Sequence, residues 1–71
     1  MSLNWSNSRE IGEILLEKYD SLNPLTVRFT DLHKWVLDIE DFEGKPEDSN
    51  EKKLEAIQMA WYEEWQEEHG K

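Results

Sequence analysis

The chain of 71 residues contains no cysteine. That excludes a disulfide framework, a thiolate zinc site, a cysteine nucleophile and any cluster held by the protein's own thiolates. Basic residues are scarce, with eight Lys and Arg against 17 Asp and Glu, a net charge of −9. Such a surface repels nucleic acid and anionic lipid, and it favours a basic protein partner or hard cations. No apolar run approaches the roughly 20 residues of a membrane span, and no signal-peptide pattern opens the chain. The cytoplasm is therefore the expected location. Glycine and proline are few, three and two, and fall mostly at expected breaks. No glycine-rich phosphate loop exists, and His33 and His69 lie in unrelated contexts. An enzyme is not expected. The bulk of the small core must come from four Trp, two Tyr and two Phe.

The periodicity predicts three helices. The first spans about Ser8 to Tyr19, after an Asn7–Glu10 capping-box spacing, with Ile11, Ile14, Leu15, Tyr19 and Leu22 on one face. Glu10, Glu13 and Glu17 lie opposite, as a solvated face. Pro24 ends helix by Asn23. Val27 to Thr30 alternates apolar and polar residues and reads as a short extended piece, with Thr30 capping the second helix. Leu32, Trp35, Val36 and Ile39 form that helix's apolar face. A third helix is expected from a cap at Asp48 or Ser49, with Leu54, Ile57, Trp61 and Trp65 as its buried stripe. Negative charge at Glu67 and Glu68 opposes the helix dipole, so fraying is expected after Trp65. Leu3 and Trp5 alternate and add a strand residue or two. One domain over 1–66 and a frayed tail over 67–71 follow. The expected class is mainly α, with one to three very short strands, and the element order also suits a trimmed winged helix. No oligomer signal is present, and a monomer is expected.

Asp38 to Glu51 holds seven acids and one base, Lys45. Asp38, Glu40, Asp41 and Glu43 are oxygen donors suited to hard cations and to weak, exchangeable ferrous iron. Their spacing is not an EF-hand, and a solvated acidic loop is the alternative. On a helical wheel Asp31, Asp38 and Asp41 share a flank with Lys34. Leu37 faces away from the apolar centre as an expected exposed contact. With Glu40 and Glu47 at the rim, these residues make a candidate docking surface for a basic partner. DNA binding is disfavoured, because Lys34 stands against three acids, Asp31, Asp38 and Glu40, on the second helix.

The residues also resemble a known family. Trp5, Asn7-Ser8-Arg9-Glu10-Ile11, the run Val27-Arg28-Phe29-Thr30-Asp31-Leu32-His33 with Trp35, Asp38-Ile39-Glu40-Asp41-Phe42, Ser49-Asn50-Glu51-Lys52, Leu54-Glu55-Ala56-Ile57 and Trp61 are similar to the IscX family of bacterial iron–sulfur cluster assembly. The resemblance implies a modified winged-helix fold and binding to the cysteine desulfurase of that pathway, at a basic surface shared with frataxin. It also implies weak ferrous iron binding through surface carboxylates and a role as adaptor or regulator. Gly44 and Lys45 interrupt the acidic run that family members often carry after the Asp-Phe pair.

Overall fold

The computed structural model describes residues 2–69. Three helices form in chain order: α1 (Ser8–Lys18), α2 (Phe29–Leu37) and α3 (Glu51–His69). Short 3-10 turns at Pro24–Thr26 and Pro46–Asp48 precede α2 and α3. Each 3-10 turn starts on a proline, whose fixed φ suits a first helical position. Among the described residues the one β pairing is an isolated parallel bridge between Leu3 and Phe42. The class is mainly α.

The apolar stripes meet as their spacing predicts. Ile11 and Leu15 of α1, Leu32 and Val36 of α2, and Leu54, Ile57 and Trp61 of α3 are buried together. Trp5, Val27 and Ile39 complete the cluster from outside the helices. Trp35 is half-buried, stacked on Tyr19 at 4.4 Å and meeting the edge of Trp61 at 6.3 Å. No charged or polar side chain is buried among the described residues, so the core rests on apolar burial.

α3 packs chiefly on α1, and Gly12 sets the distance. A Cβ there would stand 2.8 Å from the Trp61 amide nitrogen and 3.1 Å from the Ala60 carbonyl carbon. Both are backbone atoms of α3, which cannot swing aside as a side chain would. Gly12→Ala gains about 1 kcal/mol of helix propensity. Forcing the helices apart costs about 1–3 kcal/mol, and the neighbouring core contacts loosen with it. The expected result is a net loss of about 1–2 kcal/mol. Urea unfolding checks it, and a variant more stable than the parent would show that the helices yield freely.

Four local expectations are corrected. The Asn7 side chain does not cap α1; its Oδ1 accepts from the Asn4 amide at 2.9 Å, closing the lead-in turn instead. Val27 and Arg28 are extended but pair with no strand, and α2 starts at Phe29, so Thr30 lies inside the helix with no capping role. Asn50, rather than Asp48 or Ser49, caps α3, accepting from the Lys53 amide at 2.9 Å. α3 is helical past Trp65, where fraying is expected, through Glu67 and Glu68 to His69; 70 and 71 lie outside the described residues. His69 Nε2 donates to the Asp20 carbonyl at 2.6 Å and its ring packs on Trp65 at 5.0 Å. This long-range tie offsets the unfavourable charge at the helix end.

Candidate functional site: an anchored acidic ridge

The seven acids of residues 38–51 lie on an ordered ridge. Its apolar residues face inward and its carboxylates face out. Ile39 is buried directly after α2, and its amide donates to the Val36 carbonyl at 3.1 Å. Phe42 packs edge-on against Trp5 at 4.8 Å. The bridge to Leu3 is closed by two backbone bonds of 2.8 Å, Leu3 amide to Asp41 carbonyl and Glu43 amide to Leu3 carbonyl. Asp38, Glu40, Asp41, Glu43, Glu47, Asp48 and Glu51 are all exposed. Among the described residues the one ion pair is Arg9 with Glu13, a long 3.9 Å contact elsewhere on the surface. None of the seven carboxylates of the ridge is in an ion pair among the described residues.

A second clamp holds the far half. Trp5 is buried, and its Nε1 donates to the Lys45 carbonyl at 2.6 Å. His33 stacks on the Trp5 ring at 5.3 Å. His33 Nε2 lies 3.1 Å from the Pro46 carbonyl, so the Nε2-protonated ring donates there. The Ser49 hydroxyl donates to the same oxygen at 2.9 Å. His33 is thus a structural clamp at the edge of the core. Its chain neighbours carried no sign of this, because the partner lies 13 residues away. Gly44 fits between the rings: a Cβ there would come within 2.6 Å of Phe42 Cζ and 2.9 Å of Trp5 Cδ1.

Removing the indole donor tests the clamp. Trp5→Phe keeps an aromatic ring but leaves the Lys45 carbonyl with the Asp48 amide as its one remaining donor, at a cost of about 1 kcal/mol. The Asp48 amide, which donates to that same carbonyl at 3.1 Å, should exchange its proton faster, while amides of α1 stay unchanged. Equal exchange at Asp48 in both proteins would assign the anchoring to the bridge alone.

The expected site residues are distributed as follows. Asp31 is exposed in the first turn of α2. Asp38 ends that helix, and its amide donates to the Lys34 carbonyl at 3.0 Å. Glu40 and Asp41 lie in the turn beyond it, so the helical wheel does not place Asp41. Leu37 is corrected: it is half-buried and packed against the core. Glu47 lies in the 3-10 turn held by His33 and Ser49. Asp38, Glu40, Asp41 and Glu43 share the ridge, but among the described residues no three His, Asp or Glu side chains converge on one metal-sized position. They form no preformed cage.

The negative end of the α2 dipole carries a further signal. Asp38, Glu40 and Asp41 crowd the C-terminus of the helix, where cations are stabilising and anions are not. The arrangement lowers local stability, so stability does not account for it.

Fold and ridge together define a small, thiol-free, mainly α-helical protein that presents an anchored acidic surface. The profile of the family described as iron-sulphur cluster assembly matches residues 3–66. An uncharacterized protein of Pseudomonas aeruginosa is 45% identical over 64 residues, which span 90% of this chain and 97% of that relative. The chain belongs to the iron–sulphur cluster assembly family, in agreement with the IscX resemblance of its sequence. No helix among the described residues is long and apolar enough to cross a membrane.

Proposed function

We propose that the chain is a non-enzymatic, cytoplasmic adaptor that regulates iron–sulfur cluster assembly by docking its acidic ridge on the cysteine desulfurase. The observation that carries this reading is seven exposed carboxylates, none in an ion pair among the described residues, on a backbone held by the Leu3–Phe42 bridge and the Trp5–His33 clamp. A charged face whose backbone is already tied in place by such bonds loses less freedom on binding, and its charge steers a basic partner. The docking set is Asp31, Asp38 and Asp41 with Glu40 and Glu47 at the rim; Leu37 contributes its half-exposed part. Frataxin is a competitor for the same basic surface, and the chain acts as a monomer.

Ferrous iron is the proposed cargo, held by Asp38, Glu40, Asp41 and Glu43. With no three carboxylates converging, an ion takes one or two of them and completes its shell with water. Binding is accordingly weak and exchangeable. A second reading, docking with incidental iron binding, draws on the same open geometry. Anaerobic calorimetry of the desulfurase titrated with the chain, with and without ferrous iron, separates them. Iron-dependent affinity supports the cargo reading, iron-independent affinity supports docking alone, and no binding removes both. Paramagnetic broadening by a divalent ion should centre on the four carboxylates. Broadening confined to Glu10, Glu13 and Glu17 would move the site to α1.

A further inference from the structure

The Pro46–Asp48 turn carries Glu47, whereas Asp31 and Asp38 belong to α2 and its end. Two successive carbonyls show how the turn is placed. The Lys45 oxygen accepts from the Asp48 amide at 3.1 Å and from Trp5 Nε1 at 2.6 Å. The Pro46 oxygen accepts from the Ser49 hydroxyl at 2.9 Å and lies 3.1 Å from His33 Nε2. Each carbonyl thus has one donor three residues on and one from a distant element. The near donors, Asp48 and Ser49, move with the turn, so they fix its shape and not its place. The distant donors are two rings stacked at 5.3 Å, one from the lead-in and one from α2. The Lys53 ammonium also reaches the Asp48 carbonyl, at 3.3 Å, but from the end of a flexible four-carbon stem. Among the described residues the His33 bond is the one hydrogen bond that joins the turn to α2. It therefore fixes the carboxylate on the turn against those on the helix.

We propose that His33 is a positioning residue of the docking face: its Nε2 proton holds the Glu47 turn against α2, so that a basic partner meets Asp31, Asp38 and Glu47 in one fixed arrangement. The proposal rests on the docking reading above. His33 acts through the Pro46 carbonyl and has no need to touch the partner. Exposed ion pairs are weak unless several charges act together in a held geometry, so the spacing of the carboxylates counts as well as their number. In the parent, nitrogen NMR of the neutral imidazole should show the proton on Nε2. A proton on Nδ1 would overturn the proposal, whatever the variants do.

Two substitutions separate the donor from the ring. His33→Phe keeps a ring to stack on Trp5 and removes the donor. His33→Gln gives up the ring and keeps an amide donor for the Pro46 carbonyl. Without any partner, the backbone order parameters of Glu47 and Asp48 should fall in His33→Phe and hold in His33→Gln. Affinity for the desulfurase is then measured with Glu47→Gln or Asp31→Asn added to each protein. Glu47→Gln should weaken binding about threefold in the parent and in His33→Gln, and by less than about 1.5-fold in His33→Phe. Asp31→Asn should act equally in all three, because position 31 lies on α2 itself. Unchanged order parameters in His33→Phe, or an equal Glu47→Gln effect in all three proteins, would overturn the positioning role and leave docking intact. So would an Asp31→Asn effect that shrinks together with that of Glu47→Gln, because the imidazole would then serve the general fold. If neither acid matters in the parent, the docking face is wrong and the proposal goes with it.

Discussion

Trp61→Ala is expected to remove about a third or more of the protein's folding stability and to lower its melting temperature steeply. Trp61 is the largest fully buried side chain and sits where all three helices meet. It lies against Trp35 and Tyr19, each with ring centroids 6.3 Å away, and its backbone touches Gly12 of α1. Truncating a buried Trp costs about 3–5 kcal/mol, from lost burial and from the cavity left behind. Domains of this size have a total stability of only roughly 4–10 kcal/mol. No disulfide is present to limit the unfolded state. Trp61→Phe separates size from polarity. It loses part of the ring but also removes an indole Nε1 that has no hydrogen-bond partner. An unpartnered buried donor costs about 1–3 kcal/mol, so this variant should fall well short of the alanine loss. Thermal melts followed by circular dichroism decide it. Melting of Trp61→Ala at the parent temperature would show that the core is held elsewhere.

The reversal Asp38→Lys with Asp41→Lys is expected to slow association with the desulfurase by about tenfold or more at low salt, while the domain stays folded. Neither side chain is buried, and the bonds that anchor the ridge at these positions are made by backbone atoms: the Asp38 amide to Lys34 and the Asp41 carbonyl to the Leu3 amide. A lysine at position 38 also suits the negative end of α2, so melting should hold steady or rise slightly. Raising the salt should shrink the difference, because exposed charges are screened over about 8 Å at physiological ionic strength. Glu63 and Glu64 are the controls, on α3 beside Arg9 and away from the ridge. Stopped-flow association rates at several salt concentrations supply the comparison. If the Glu63 and Glu64 reversals slow binding as strongly, net charge alone drives association and the ridge is not the docking face.

The helices were legible because each buried stripe repeats every three or four residues within one element. Ile11 and Leu15, Leu32 and Val36, and Leu54, Ile57 and Trp61 all lie where that period places them. The family was legible for another reason, the specific order of Val27 to Trp35 and of Asp38 to Phe42, and the family profile agrees over residues 3–66. The acidic surface needed only a count of charges. What the sequence could not show is how that surface is held. The wheel extended α2 past its end, which placed Asp41 on a helical flank, and it placed Leu37 outward; the helix ends at Leu37, which is half-buried and packed against the core.

By itself the sequence determined the helices, the apolar core, the excess of carboxylates and the family. These are local or additive properties: a period, a composition, an order of residues. Only the tertiary structure decided that the acidic segment is a ridge. That depends on Leu3 meeting Phe42, on Trp5 reaching the Lys45 carbonyl 40 residues away and on His33 reaching Pro46. It also decided that α3 continues to His69, through a bond to Asp20 across 49 residues, and that Gln58 is tied to the Pro24 carbonyl across 34. Hydrogen bonds of that span are set by the path of the whole chain, because a donor and acceptor must be brought within about 3 Å with good alignment. No local pattern encodes that meeting, and a packed core supplies it only when every element is in place.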